Sequence, residues 1–236
     1  MNNTILIKLS GESLANKSKS LSIDNELVRK IGIQLKEVQK LGYKILIVIG
    51  GGNFWRGASA EKNGIKRNKA DYIGMLATIM NGLALESAFK ELGINSRVLS
   101  SINIDPRVCE YYINEKAVKY LENDNVIIFV GGTGRPYFTT DSATTLFASE
   151  MGANLILVGK NSVNGVFDSD PRTNPNAVRY DTITYNEVIE KDLKVMDSTA
   201  FSMARDNKLE LIIFDIKEEN SIINVIKGKI KHTKVF

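Results

Sequence analysis

Three short stretches combine glycines, hydroxyls and isolated charges in the way that phosphate chemistry requires. One reads Gly131-Gly132-Thr133-Gly134-Arg135-Pro136-Tyr137-Phe138-Thr139-Thr140-Asp141 and follows an apolar run over 126–130. A second, Gly50-Gly51-Gly52-Asn53-Phe54-Trp55-Arg56-Gly57, follows the run 44–49, and a third, Lys8-Leu9-Ser10-Gly11, ends the first run of the chain. Glycines let backbone N–H groups approach an anion closely, and hydroxyls add donors that carry no charge. Lys8 closes an apolar strand, where a solvated lysine has little structural reason to be. It reads as a fixed cation aimed at a phosphate held by the amides around Ser10 and Gly11. Arg56 is either a second cation of the same site or a surface arginine.

Two familiar nucleotide signatures fail. In a Walker A loop, Gly-Lys is followed by Ser or Thr, whereas Asn161 follows Gly159-Lys160 and Ile230 follows Gly228-Lys229. The dinucleotide fingerprint G-x-G-x-x-G breaks at Trp55 when started from Gly50 and at Tyr137 when started from Gly132. The one histidine, His232, argues against a Ser-His-Asp triad or a His-rich metal site and reads as a solvated residue of the basic tail 227–234. The one cysteine, Cys109, excludes an internal disulfide and fits a reducing compartment. A net charge of +4 suits an anionic substrate and is too weak to argue for nucleic acid. No uninterrupted apolar run approaches the roughly 18 residues of a membrane span. Met1-Asn2-Asn3-Thr4 lacks the basic flank and apolar core of a signal peptide. These features lead us to expect a cytoplasmic protein with no membrane and no nucleic-acid partner.

The elements that must position these residues alternate. Apolar runs over 5–8, 44–49, 96–99, 126–130, 154–158 and 210–214 are mostly continuous, as strands covered on both faces of a parallel sheet are. Asp24 caps a helix carrying Leu27, Ile31, Leu35 and Val38 on one stripe, and Gly42 stops it. A helix over 70–92 is rich in small residues and packs closely on an internal neighbour or on a second subunit. Shorter helices are expected at 115–122, 141–151, 198–207 and 220–227. The pattern predicts an α/β fold, a three-layer α/β/α sandwich with a mostly parallel central sheet. Residues 162–179 form the one long irregular stretch and by position separate an N-terminal lobe, about 1–155, from a C-terminal lobe, about 156–236. Ligands of such sheets bind at the carboxyl ends of the strands, where Lys8, the glycine turns and Gly159-Lys160 all fall.

Read in order, Lys8-Leu9-Ser10-Gly11-Glu12, Ile49-Gly50-Gly51-Gly52-Asn53 with Arg56-Gly57, Gly74-Met75-Leu76-Ala77-Thr78, Gly132-Thr133-Gly134 with Thr139-Thr140-Asp141, and Val195-Met196-Asp197 with Ala204-Arg205 resemble bacterial uridylate (UMP) kinases of the amino-acid-kinase fold. The resemblance spans nearly the whole chain. It implies transfer of the γ-phosphoryl group of ATP to UMP, with Mg²⁺ accompanying ATP, in cytoplasmic pyrimidine nucleotide synthesis by a homohexamer. It also implies ATP contacts at Lys8, Leu9, Ser10, Gly11, Gly52, Arg56, Asn161, Phe167 and Asp170. UMP contacts are implied at Gly51, Asp71, Thr133, Gly134, Arg135, Pro136, Tyr137, Phe138, Thr139 and Thr140. The turn departs from the family at Arg135, where an Asn is usual, and Asn164 stands where an Asp is common.

The physical roles follow without the name. A nucleotide monophosphate is mostly dianionic near neutrality, its second pKa being roughly 6, so the acceptor needs no general base. The obstacle is repulsion between two anionic phosphates that must come in line at about 3–3.5 Å. Lys8, Arg56 and oriented amides would offset it. Asp141 and Asp197 complete the expected catalytic set by orienting Lys8 or a metal-bound water; each is also well placed to cap a helix. Asp71 has two acceptor oxygens suited to a ribose diol and stands equally as a helix-start acid. Two rivals on the same fold are a kinase with a carboxylate or carbamate acceptor and a non-catalytic storage protein that binds nucleotide or oxyanion.

Overall fold

The computed structural model describes residues 3–57, 64–193 and 195–236; Met1 and Asn2 of the N-terminal reading lie outside them. Its centre is β1 (Thr4–Leu9), flanked by β2 (Lys44–Ile49) and β6 (Leu155–Lys160). Beyond β2 lie β5 (Val126–Val130), β3 (Ser96–Ser100) and the short β4 (Glu110–Tyr111); beyond β6 lies β10 (Glu210–Asp215). All these pairings are parallel. Every residue of β1 and β5 is buried, as continuous apolar runs require when helices cover both faces.

Helices α1 (Asn25–Lys40) and α2 (Arg67–Glu91) cover one face together with α7 (Ser221–Ile226). The other face carries α3 (Asn114–Glu122), α4 (Thr140–Glu150), α5 (Tyr185–Glu190) and α6 (Ser198–Asp206). Ile31, Leu35 and Val38 of the expected α1 stripe are buried, with Val28 in place of the partly exposed Leu27, and the Asp24 carboxylate accepts from the Glu26 N–H at 2.9 Å to cap the helix. The three-layer sandwich with a mostly parallel sheet is thus observed.

Two expectations need correction. The basic tail is not a solvated end: β11 (His232–Val235) pairs antiparallel with β10 and carries the edge strand β9 (Thr182–Ile183) beside it. His232 is partly buried there, its Nδ1 2.9 Å from the Ile230 carbonyl. Thr233 and Val235 alternate inward, a strand pattern that the intervening charges obscure. The irregular stretch is also tied at both ends, since β7 (Val166–Phe167) pairs with β8 (Arg179–Tyr180) as a small antiparallel ribbon. One helix among the described residues, α2, is long and apolar enough to cross a membrane by length and composition. Here Ile79, Leu85 and Phe89 of α2 are core residues against the sheet.

Candidate active site

Successive side chains of a strand point to opposite faces. Ile5, Ile7 and Leu9 enter the α1–α2–α7 side, so Lys8 shares the opposite side with Leu6. It stands one residue before the end of the central strand and is only 9% exposed. The first turn of α4 meets it there. Thr139 caps that helix, its hydroxyl accepting from the Asp141 N–H at 3.0 Å, and Asp141 in turn places Oδ1 3.0 Å from Lys8 Nζ. That Oδ1 is buried, and among the described residues the ammonium is its only polar partner.

A second lysine, placed by sequence at the carboxyl ends of the strands but not among the expected contacts, joins the site. Lys160 ends β6 beside Lys8 and donates to the Val195 carbonyl. Burial, then the Lys8 charge, pushes its pKa down to about 8, with Asp141 opposing. A lysine that close to neutrality senses any anion brought beside it.

The glycine turns meet at the end of β1. The Gly50 N–H donates to the Leu9 carbonyl at 2.9 Å. A Cβ on Gly11 would lie 2.2 Å from Asn53 Oδ1 and 2.7 Å from the Gly50 carbonyl, so only glycine fits the contact. Gly134 adopts φ +75°, and a Cβ there would meet the Ser101 carbonyl at 2.6 Å. Both later turns hang from α2. Asn81 Nδ2 donates to the Gly50 carbonyl at 2.7 Å, and Thr78 Oγ1 accepts from the Gly131 N–H at 2.7 Å.

Two cavities flank this junction. The first, about 610 Å³, is lined by Lys8, Ser10, Asn161, Phe167 and Asp170 of the expected ATP set, with Lys160 and Glu12 added. Asn161 Nδ2 donates to Ser10 Oγ at 3.1 Å and to Glu12 Oε2 at 3.3 Å, while its buried Oδ1 has no hydrogen-bond partner among the described residues. The Arg172 fork holds the Asp170 carboxylate at 3.0 Å and lowers its pKa. Leu9 does not line this cavity, its side chain being fully buried in the core on the face opposite Lys8. Gly11 packs closely on Gly50, Gly52 and Asn53 and does not line this cavity, and Gly52 lines the other one. Arg56, 63% exposed, pairs with Glu12 and so spans the first two turns.

The second cavity, about 420 Å³, has Gly51, Asp71, Thr133, Phe138, Thr139 and Thr140 in its wall. Trp55, Arg67, Gly74 and Thr78 join them. Gly134, Arg135, Pro136 and Tyr137 do not line it. Arg135 is exposed, and Tyr137 reaches the site through its backbone N–H, which donates to Asp71 Oδ2 at 2.7 Å. Asp197 lies apart from Lys8 in its contacts: its carboxylate caps α6 through the Ala200 N–H at 2.8 Å and accepts from the Thr139 and Ser142 hydroxyls. It secures the start of α4, and hence Asp141.

A buried cation at the carboxyl ends of a parallel sheet, in the wall of one cavity and beside the helix start that enters the second, suits the binding of anionic ligands, and the chain belongs to the amino acid kinase family, whose model matches residues 3–215. Within that family it is 77% identical to the uridylate kinase of Mesomycoplasma hyopneumoniae (strain 7448) over the full length of both chains. The crystal structure of UMP kinase from Ureaplasma parvum superposes with a TM-score of 0.95 at 42% identity, covering 100% of this chain and 99% of that one. UMP kinase from Bacillus anthracis gives 0.93 at 38% identity, covering 99% and 95%.

Proposed function

We propose that this chain is a UMP kinase that transfers the γ-phosphoryl group of ATP to UMP, giving UDP and ADP. The observation that carries the reading is the Lys8–Asp141 pair, buried where one cavity ends and the acceptor turn of the other begins. ATP occupies the first cavity, formed largely by the C-terminal lobe of about 156–236. UMP occupies the second, in the N-terminal lobe of about 1–155. Phe167 stacks on the adenine, Asn161 Oδ1 accepts from a donor of the nucleotide, and Asp170 takes a ribose hydroxyl. Gly51 and the 133–140 turn hold the acceptor phosphate and base, and Asp71 takes its ribose.

Lys8 and Lys160 place two ammonium groups on the donor side, and oriented amides of the glycine turns meet the phosphate oxygens. Asp141 fixes Lys8 rather than taking a proton, since the acceptor phosphate is already ionised. On binding of both substrates Arg56 exchanges Glu12 for phosphate oxygen. No cluster of three metal-binding side chains occurs among the described residues. Mg²⁺ would enter on the phosphates of ATP, with Asp141, whose Oδ1 holds Lys8, placed to orient a metal-bound water. When bound, Mg²⁺ supplies charge neutralisation of the phosphates. The assembly is a cytoplasmic homohexamer, for which Tyr72, Leu76 and Met80 on α2, apolar and exposed at four-residue spacing, offer a contact face.

A coupled ADP-release assay with UMP, CMP, AMP, GMP, glutamate derivatives and carbamate tests the activity. ADP release with UMP above the other acceptors is expected. Release only with a carboxylate or carbamate, or ATP binding without turnover, would overturn the reading in favour of one of its rivals on this fold.

A further inference from the structure

Arg67 and Asp71 stand one turn apart at the start of α2. Arg67 Nε lies 3.0 Å from Asp71 Oδ1 and 3.1 Å from Oδ2, and the Tyr137 N–H adds its bond to Oδ2. The same guanidinium lies 5.6 Å from the centroid of the Tyr137 ring. One arginine therefore fastens the carboxylate with its edge and the acceptor turn with its face. Tyr137 is held at φ +72°, a conformation a residue with a Cβ adopts only when its surroundings impose it.

Stability does not account for this arrangement. With Arg67 43% and Tyr137 69% exposed, an ion pair between neighbouring turns of one helix contributes little to folding. What the arrangement fixes is aim. A carboxylate accepts about four hydrogen bonds. Among the described residues Oδ2 takes Tyr137 and a share of Arg67, while Oδ1 has only its share of Arg67 and keeps room for another donor. Oδ1 also lies toward the second cavity, 3.6 Å from where a Cβ on the lining residue Gly57 would be.

We propose that Arg67 is a positioning residue that turns Asp71 Oδ1 toward the sugar of the acceptor and thereby sets the preference for ribo- over deoxyribonucleotide. This deepens the UMP kinase reading and rests on it. A carboxylate held by the shared Arg67 Nε–H and the Tyr137 N–H presents a fixed acceptor to a 2′-hydroxyl, and a substrate lacking that hydroxyl forfeits the bond.

Steady-state kinetics with UMP and dUMP on the intact protein, Arg67→Gln and Arg67→Lys test it. In Arg67→Gln the KM for UMP rises about tenfold with kcat nearly unchanged, the KM for dUMP barely moves, and the UMP:dUMP preference in kcat/KM collapses accordingly. Arg67→Lys, a point charge without the planar guanidinium that also lies over Tyr137, recovers only part of the preference. A purely structural role moves both nucleotides alike, so an unchanged UMP:dUMP ratio in both variants overturns the proposal. Trp55, the one tryptophan of the chain, lines the same cavity, with its indole N–H on the Ala70 carbonyl at 2.8 Å. Its fluorescence reads the two affinities without turnover. A protein that binds UMP but does not phosphorylate it therefore loses the activity reading, while the binding ratio still decides the role of Arg67.

Discussion

Thr78 and Asn81, one helical turn apart on α2, each hold a different glycine turn: Thr78 takes the Gly131 N–H and Asn81 the Gly50 carbonyl, both at 2.7 Å. The spacing between the two turns is thus set by a single rigid helix. Thr78 also donates to the Met75 carbonyl at 2.7 Å, so its hydroxyl is oriented before it meets Gly131. Asn81 is fully buried and pairs with Asn53 through reciprocal amide bonds at 2.8 Å.

Asn81→Ala removes a buried donor and leaves the Gly50 carbonyl and the Asn53 amide short of partners. A loss of about 2–3 kcal/mol is expected from such unmet groups. Thermal denaturation should show a Tm lower by several degrees. The KM for UMP should rise more than the KM for ATP, because Gly51 and Gly52 line the acceptor cavity. An equal change in both constants would detach Asn81 from the acceptor turn.

Gly11→Ala should be worse than its size suggests. The added carbon meets Asn53 Oδ1 at 2.2 Å and backbone atoms of Gly50 and Gly52 at 2.7 and 2.8 Å. The first and second turns must separate, which takes Arg56 away from Glu12 and opens the junction. Forced overpacking costs roughly 1–3 kcal/mol. A variant whose melting and turnover both match the unaltered protein would show that the turns are not in contact in solution.

How much of this was legible depends on what a residue type reveals by itself. Lys8 stands out because a charge interrupts a run that otherwise reads as buried, and the continuous runs themselves mark both-faced strands. Gly131 to Asp141 stands out by composition. Thr78 and Asn81 do not, since polar residues on a helix rich in small ones look solvated until its packing is known. Arg67 hides within the basic run Lys66-Arg67-Asn68-Lys69. The strands β4, β7, β8 and β9 are two residues each, too short to show any period, and exist because a neighbouring strand pairs with them. Leu9 neighbours Lys8 in the motif, yet alternation along β1 sends the two adjacent side chains to opposite faces, which a motif does not reveal.

Lys8→Ala should leave the fold intact and lower turnover at least tenfold, a barrier increase of about 1.4 kcal/mol or more. It also removes the like charge beside Lys160, so the Lys160 pKa should move up toward its ordinary value. Single-turnover kinetics with the pH profile of each protein would read both effects. Turnover close to that of the unaltered protein would remove Lys8 from the mechanism.

Leu76→Glu with Met80→Glu tests the assembly. Both side chains are nearly half exposed on α2, at 48% and 46%. If that face is covered by a second copy, two buried carboxylates there are strongly unfavourable. Light scattering should then show a smaller species for the double variant than for the unaltered protein, with the circular dichroism of the two alike. An unaltered protein that is monomeric at working concentration would discard the assembly.

Lys160 gives the protein a pH response whose sign can be worked out. Its pKa falls from 10.5 in the open chain to about 8 when folded. Between those values the unfolded chain binds more protons than the folded one. Stability therefore rises with pH across the window from about 8 to 10.5, and below about 8 the full penalty for burying the charge is present. Lys160→Met should accordingly be more stable than the unaltered protein at pH 7, by on the order of 3 kcal/mol at most, with the difference shrinking as pH approaches 10. Anion binding runs the other way. The triphosphate of ATP favours the charged ammonium and pulls its pKa up, so binding near pH 8.5 should take up a proton. Calorimetric titration of ATP in buffers of different ionisation enthalpy measures that uptake directly. Its persistence undiminished in Lys160→Met would place the proton on another group and separate Lys160 from the donor phosphates.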